Sequence, residues 1–233
     1  MPKPYLFQRV HTLHHKPIYL EVHLEVLARC YKELWGADVV IKKDNLAAKI
    51  EKLLKLRGAP YSTSTYIELR LDIDGTIRPI ILENSIYEGY TLRCFNPKAY
   101  IVTYDNTLGN LPTSVRSAAA DLALSKAQLH GADIAIREGS DGVLYSADDA
   151  PLFAVMGRNI YTPPAMESVE HRLVARAAQR HNITIQELSF KSADLHYFDE
   201  LFYVNHYGVT AIHSYEKKLY MSIIARKIST LLM

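Results

Sequence analysis

The amino-acid sequence predicts an α+β chain of two domains, and three observations lead to that prediction. Apolar residues recur at helical spacing in separate blocks. Between these blocks, apolar residues alternate with polar ones, which is the period of a half-buried strand. Residues 105–112, DNTLGNLP, have the composition of a linker. We therefore expect a smaller N-terminal α/β domain over residues 1–105 and a C-terminal α+β domain over residues 111–233.

The N-terminal half opens with strands and continues with two helices. The first helix stops at Gly36, and Asp44 or Asn45 caps the second. Asp74-Gly75 joins two later strands as a hairpin turn. The predicted helices cover residues 20–34 and 46–56, and the predicted strands cover residues 5–10, 18–20, 66–73, 77–82, 90–95 and 99–104.

The C-terminal half is organised around residues 130–164, which are predicted to form a helix end followed by three strands and their turns. Gly131 stands where a left-handed helix C-cap is common, and Ser140-Asp141-Gly142 is a hairpin turn signal. Pro163-Pro164 ends the last of these strands. The other elements predicted in this half are helices from Ser114 to about residue 130 and over 168–181, a strand over 183–188, strands from Phe198 onward, and a strand with a short helix over 219–231.

Composition and charge limit the class of protein. A net charge of +2 gives no electrostatic reason to expect nucleic acid or an anionic membrane as a partner. Cys30 and Cys94 are far apart and form no CxxC motif, which favours a reduced, cytoplasmic protein. No apolar run is long enough to cross a bilayer, and the N-terminus lacks the apolar core of a signal peptide.

The motifs of this chain resemble those of the class IV aminotransferases. The motifs that carry the resemblance are Gly131-Ala132-Asp133, Asp141-Gly142, Leu152-Phe153, Gly157, Tyr161-Thr162-Pro163-Pro164, Asp199-Glu200-Leu201-Phe202 and Asn205-x-x-Gly208-Val209, with fainter ones at residues 6–10 and 23–25. These fold-type IV pyridoxal-phosphate enzymes include branched-chain aminotransferase, D-amino-acid aminotransferase and aminodeoxychorismate lyase. The resemblance implies the two-domain D-amino-acid aminotransferase fold, a homodimer, and pyridoxal phosphate chemistry on a small amino acid or amino-chorismate.

The residues that would hold this cofactor are not matched. A transaminase needs a lysine amine for the Schiff base, donors around the phosphate and a carboxylate on the pyridine nitrogen. No lysine occurs between Lys98 and Lys126. By resemblance, the corresponding positions here are Thr113 for the lysine, Val26 for the phosphate arginine, Ser146 for the glutamate, Pro151 for the asparagine before Leu-Phe, and residues 168–171, with Glu170, for the phosphate-binding helix start. We therefore expect a degenerate site that does not bind pyridoxal phosphate.

Two functions stay open at this point. One is a pyridoxal-phosphate aminotransferase or lyase in which Lys98 or Lys126 replaces the missing amine. The other is a cofactor-free binding or interaction protein on the same fold, which could take a small-molecule ligand. By resemblance, the residues expected to line any remaining pocket are Thr113, Arg116, Tyr145, Ser146, Asn205, His206, Tyr207, Gly208 and Val209.

Other motifs have simpler explanations. Residues 71–77, LDIDGTI, match the motif of haloacid-dehalogenase-type phosphatases, with Asp72 as nucleophile, but residues 66–71 alternate like an antiparallel strand, which favours a hairpin. His11, His14, His15 and His23 could bind a metal, but an exposed histidine-rich hairpin is favoured, and we expect no metal site. Asp148-Asp149 could pair as acid and base, although a solvated turn before Pro151 is preferred.

Overall fold

The computed structural model describes residues 3–106, 108, 111–164 and 168–232. The chain forms two compact units, of which the first comprises Met1–Gly89 with Leu111–Val115, and the second comprises Tyr90–Asn110 with Arg116–Met233. The sequence groups residues 90–105 with the N-terminal domain, whereas the strand Lys98–Thr103 pairs with strands of the second unit. Residues 107, 109 and 110 of the predicted linker lie outside the described residues.

The first unit is an antiparallel sheet with two amphipathic helices. The sheet order is β2-β1-β3-β4, so β4 is an edge strand. Each helix buries one apolar stripe, for example Leu27 in α1 and Ile50 in α2. The elements are β1 (Leu6–Leu13), β2 (Lys16–Pro17), α1 (Leu20–Trp35), α2 (Lys43–Leu56), β3 (Thr65–Leu71) and β4 (Ile77–Asn84).

The LDIDGTI segment is the hairpin that the sequence favours. The Gly75 N–H donates to the Asp72 carbonyl at 3.0 Å, and Gly75 has the positive φ of 79° that the turn requires. The Asp72 carboxylate accepts a hydrogen bond from the Arg78 guanidinium of the returning strand. Because β3 and β4 are antiparallel, Asp72 does not follow a buried parallel strand, which is where the phosphatase motif requires its nucleophile.

Several structural features predicted from the sequence are wrong. Residues 18–20 form no strand, since Tyr19 has a φ of 54° and α1 begins at Leu20. Residues 90–95 make an isolated bridge, Leu92 with Val209, rather than a described strand. The histidine hairpin is only partly exposed, because His11 and His23 are completely buried. In the part of the chain that the structure describes, no three His, Cys, Asp or Glu side chains come together as a metal site.

The second unit is a larger mixed sheet with α-helices and, over Ser192–Tyr197, a 3-10 helix. The main path of the sheet is β10-β9-β8-β7-β6-β5-β13-β14, and β11 pairs with β8 and β12. The elements are β5 (Lys98–Thr103), α3 (Ser114–Leu129), β6 (Ile134–Glu138), β7 (Leu144–Ala147), β8 (Ala150–Met156), β9 (Asn159–Thr162), α4 (Val169–Arg180), β10 (Thr184–Glu187), β11 (Glu200–Asn205), β12 (Gly208–Ile212), β13 (Ser214–Tyr215), β14 (Lys218–Leu219) and α5 (Ile223–Ser229). The first two residues of α3 belong to the first unit. This mixture of helices and sheets confirms the expected α+β class.

The pleat of β6 decides which residues reach the two sides of this sheet. Ile134 and Ile136 lie in the main apolar core, whereas Ala135 packs with alanines of α3 on the opposite side. Arg137 has the same strand parity as Ala135 and therefore projects to the α3 side. No helix among the described residues is long and apolar enough to cross a membrane.

A buried glutamate holds α5 against the sheet. Glu200, which belongs to one of the resemblance motifs, is 2% exposed. Its carboxylate accepts hydrogen bonds from the Ile224 N–H at 2.8 Å and from the Ala225 N–H at 3.1 Å. These are donors that the first turn of a helix leaves without intrahelical partners, so Glu200 caps α5.

Replacement of Gly208 by alanine should destabilise the second unit strongly. A Cβ at Gly208 would stand 2.4 Å from the Thr91 carbonyl oxygen, and the φ of 118° is unfavourable for other residues. We expect a loss of about 3 kcal/mol or more in the free energy of unfolding, measured by urea denaturation.

Gly157→Ala is the matched control for this experiment. Gly157 also has a positive φ, 61°, but a Cβ there meets nothing within 4 Å. The expected loss is therefore only about 1 kcal/mol, the cost of the left-handed backbone alone. Equal losses in the two variants would contradict the close approach of the chain at Thr91.

Candidate functional site

The turn between β7 and β8 consists of Asp148 and Asp149. Their φ values are 45° and 61°, so both residues adopt the left-handed conformation that glycine or asparagine usually occupies in a two-residue hairpin. Such a conformation costs roughly 1 kcal/mol or more per residue and persists only when the surroundings fix it. The interpretation of a solvated turn is wrong, because both carboxylates are engaged in contacts with buried groups.

Asp149 forms a two-point ion pair with Arg116 of helix α3. The Arg116 Nε lies 2.6 Å from the Asp149 Oδ1, and the Arg116 Nη2 donates to Oδ2 at 3.4 Å. The side chains are only 8% and 17% exposed. The Nη2 contact has the geometry of a hydrogen bond, and in a site of low exposure each charge depends on the other.

A second buried guanidinium, that of Arg137, lies on the same side of the sheet. Its central carbon stands 4.5 Å from the ring centroid of Tyr145 and 5.9 Å from that of Tyr104. Arg137 is 6% exposed, and burial lowers its pKa. In the strand register Arg137 stands opposite Ser146, the position at which the resemblance would place a glutamate.

Tyr104 connects these two guanidiniums electrostatically. Burial raises the pKa of Tyr104 to about 12, while the charges of Arg137 and Arg116 act to lower it and that of Asp149 to raise it. The arginine cluster, defined as Tyr104, Arg116, Arg137 and Asp149, is therefore a polar centre with two permanent positive charges. Besides Asp149, the carboxyls of Asp105, Asp148 and Glu170 also interact electrostatically with its members.

Asp148 links the turn to the opposite strand. Its Oδ1 accepts from the Ala135 N–H at 3.0 Å, and its Oδ2 accepts from the Tyr203 hydroxyl at 3.3 Å. Burial raises the pKa of Asp148 to about 6, which these hydrogen bonds reduce only in part. Asp148 is thus a carboxyl that changes its charge near neutral pH.

The start of α4 does not have the chemistry of a phosphate site. The Ser168 Oγ accepts from the N–H groups of Glu170 and His171 at 3.1 and 3.4 Å, and the Ser168 hydroxyl donates to the Glu170 carboxylate at 2.6 Å. Two of the N–H donors at this helix start are therefore bonded within the chain. Burial raises the pKa of Glu170, and the charge of Arg116 opposes this shift.

The structure brings together only part of the expected pocket. Arg116, Tyr145 and Ser146 lie at or beside the arginine cluster. Asn205 and His206 belong to the β11–β12 turn, where the Asn205 Oδ1 accepts from the Tyr207 N–H at 2.9 Å. The rest of this turn is tied to the 91–93 segment through Gly208 and Val209, and the guanidinium of Arg93 lies over the Tyr207 ring. Thr113 belongs to the first unit, where it is buried and bridges to Leu6.

The sequence did not single out Arg137 or Tyr104. A usable signal was present in residues 134–137. Arg137 shares strand parity with Ala135, so it must project from the strand face opposite to that of Ile134 and Ile136. In the structure that face is the α3 side. The burial of Tyr104 depends on α3 and on distant strands, which no local pattern reveals.

The side chains do not fit a covalently bound pyridoxal phosphate. Every lysine of the chain is described, and all are exposed except Lys218, which is half-buried in β14. Lys98 and Lys126, the proposed substitutes for the missing amine, are both exposed. A Schiff-base lysine has to be desolvated beside the ring and held in a fixed position, and no exposed flexible amine meets this need.

Comparisons with known proteins identify the relatives of this chain. The family model described as "Amino-transferase class IV" matches residues 6–215. The structure is similar to branched-chain aminotransferase from the archaeon Thermoproteus uzoniensis with norvaline, at 19% identity and a TM-score of 0.80, covering 97% of this chain and 83% of that one.

Two further solved structures have the same fold. A putative 4-amino-4-deoxychorismate lyase from Legionella pneumophila has a TM-score of 0.78 at 19% identity, covering 98% of this chain and 90% of that one. An aminotransferase from Brucella abortus bound to the cofactor PLP has a TM-score of 0.76 at 15% identity, covering 97% and 87%. No match was found among curated protein sequences. The fold-type IV architecture that the sequence implied is confirmed.

The raised pKa of Asp148 should appear as a pH dependence of stability. Between about pH 4 and about pH 6, the folded chain holds a proton that an unfolded aspartate has already released. The stability due to neutral Asp148 is therefore lost as the pH rises through about 6. Over this pH window, the free energy of unfolding of Asp148→Asn should rise by on the order of 1–2 kcal/mol relative to that of the wild type, measured by urea unfolding.

Asp141→Asn is the comparison variant, because the pKa of Asp141 is shifted in the opposite direction to that of Asp148. The Tyr145 hydroxyl and the Val143 N–H donate to the Asp141 carboxylate and lower its pKa. The stability due to Asp141 is therefore lost as the pH falls, and Asp141→Asn should be less stable than the wild type at neutral pH. A pH profile of Asp148→Asn parallel to that of the wild type would contradict the burial of the Asp148 charge.

Proposed function

The chain belongs to the class IV aminotransferase family, and we propose that it uses this fold without pyridoxal phosphate, as a binding protein for a small anionic ligand. The observation that carries the proposal is the type of cation that is buried: arginine instead of lysine. No lysine is buried, whereas the guanidiniums of Arg116 and Arg137 are both enclosed at the α3 side of the sheet.

The loss of the cofactor follows from the residues at the positions implied by the family. Thr113 has no amine for a Schiff base, and Ser146 has no charge with which to keep a pyridine nitrogen protonated. Arg137 stands opposite Ser146, so that a positive charge replaces the negative one expected there. A guanidinium at that point disfavours a protonated ring, because the two positive charges would repel each other.

The proposed ligand is a small carboxylate or a similar anion. Arginine binds planar anions through its N–H donors, and Arg116 already forms an ion pair with the Asp149 carboxylate. An anion beside Arg137 would compensate the burial that lowers the pKa of its guanidinium.

A pyridoxal-phosphate aminotransferase or lyase is the second candidate function. Family membership supports this candidate, as does the Brucella abortus relative, which is bound to PLP. The exposure of Lys98 and Lys126 weighs against it. By analogy with the family we also propose a homodimer, which size-exclusion chromatography with light scattering would test.

The two functions differ in one covalent product. We expect the purified chain to be colourless, and borohydride treatment after incubation with pyridoxal phosphate should leave no single lysine modified in stoichiometric yield. Mass spectrometry of a tryptic digest provides the measurement. A stoichiometric pyridoxyl group on one lysine, removed by mutation of that lysine alone, would establish the aminotransferase candidate instead.

Binding of anions should require Arg137. A small dicarboxylate such as 2-oxoglutarate, present at about a hundredfold excess over its dissociation constant, stabilises a protein by about 2.7 kcal/mol. For a chain of this size we expect a rise of roughly 5–10 degrees in melting temperature. Arg137→Met should abolish the rise, because it removes the charge and retains much of the side-chain volume.

Arg158→Met is the control, because Arg158 is an exposed arginine of the β8–β9 turn and should leave the rise intact. Melting curves of both variants without ligand show whether either has lost its fold. If a panel of 2-oxoglutarate, succinate and phosphate leaves the wild type unchanged, or if both variants respond equally, the arginine cluster is not the binding site.

A further inference from the structure

A groove of about 500 Å³ lies on the first unit, between helix α2 and the edge strand β4. Cavities of roughly 300–1,000 Å³ are typical of small-molecule sites. Every residue that lines this groove belongs to the first unit, so the groove shares no residue with the arginine cluster and is independent of the proposed function.

One wall of the groove is a helix face that the core does not use. Lys49, Lys52, Leu53 and Leu56 follow one another at spacings of three, one and three residues, which places them on one side of α2. The core-facing stripe of the same helix consists of other residues, among them Ile50. Leu56 is 74% exposed, so the groove offers apolar surface that the fold leaves uncovered.

The opposite wall is formed by the sheet edge, with Pro79 and Ile80 as its apolar residues. Edge strands often bind another strand through their free backbone groups. Pro79 has no N–H group and interrupts such a ladder in the middle of β4. The edge is therefore better suited to an apolar chain lying along its side chains than to an added peptide strand.

The rim of the groove is positively charged. Arg70 donates to the Glu68 carboxylate at 2.5 Å, and Arg78 donates to the Asp72 carboxylate, so these two guanidiniums are held in place. The Glu68 carboxylate is shared with Arg9. The structure shows no ion pair or side-chain hydrogen bond of Lys49 or Lys52 with any described residue. Their ammonium groups leave the groove with an uncompensated charge on the helix side.

We propose that this groove binds a free amphipathic anion, a single apolar chain ending in a carboxylate. The chain lies on Leu53, Leu56, Pro79 and Ile80, and the carboxylate lies between Lys49 and Lys52. The lysines supply charge complementarity, and the apolar walls supply most of the affinity because they remove the chain from water. Lysine ammonium groups are carried on flexible side chains and can adjust to carboxylates at slightly different positions. The groove therefore does not require a ligand of one exact shape.

The test is isothermal titration of the full chain with dodecanoate below its micelle concentration. Matched ligands separate the contributions: octanoate shortens the chain, dodecanol removes the charge and dodecyltrimethylammonium reverses it. Dodecanoate should bind most tightly, the cationic amphiphile should not bind measurably, and each added methylene should strengthen binding roughly three- to fourfold. Vesicles of anionic phospholipid should not compete with dodecanoate for the groove when their anionic head groups are present at the same concentration.

Variants of the helix face make the test specific. Lys49→Glu combined with Lys52→Glu should weaken dodecanoate binding by about tenfold or more. Leu56→Ser should also weaken it, and this exposed position allows the fold to survive. Lys55→Glu is the control, since Lys55 is exposed on the same helix, pairs with Glu51 and does not line the groove.

Several results would overturn the proposal. Equal affinity for dodecanoate and dodecyltrimethylammonium would show non-specific adsorption to apolar surface. An unchanged affinity in the double lysine variant, with its melting temperature preserved, would place the ligand elsewhere. Binding to anionic vesicles without binding to monomeric dodecanoate would assign the basic face to a membrane surface instead.

Discussion

The ion pair between Arg116 and Asp149 is the interaction on which the interior of the second unit depends. It joins a helix to a turn whose backbone conformation is unfavourable for aspartate, so the contact and the turn stabilise each other. A buried charge that loses its partner costs several kcal/mol, and the neighbouring guanidinium of Arg137 would add repulsion. The pair therefore fixes the position of α3 relative to β7 and β8, and with it the shape of the polar centre.

The chain retains the architecture of its family. The retained motifs perform structural tasks: Glu200 caps α5, and Gly208 allows the chain to pass Thr91 closely. These tasks are independent of any cofactor, because they satisfy backbone groups and avoid steric overlap.

The sequence predicted the fold well because its signals are local. The LDIDGTI hairpin and the strands β6, β8 and β9 follow from local apolar patterns and turn residues, whereas the fourth strand of residues 134–162, β7, was not predicted. The capped helix from Ser168 follows from local capping chemistry. The polar centre was predicted only in part. Arg116 came from a resemblance, whereas Tyr104 and Arg137 acquire their surroundings from strands and a helix far away in sequence. The aspartate turn was misjudged because local composition says nothing about which distant cation will meet a carboxylate.

The surface location of the lysines has a practical consequence for handling this protein. Amine-directed reagents, whether cross-linkers, biotin esters or immobilisation resins, will react on the outside of the molecule and leave the buried polar centre untouched. The interior cations are guanidiniums, which such reagents do not attack at neutral pH. Tethering through amines therefore offers a way to study the buried polar centre on a sensor surface. Ligand binding in the groove of α2 has to be studied without such tethering, because the exposed Lys49 and Lys52 line that groove.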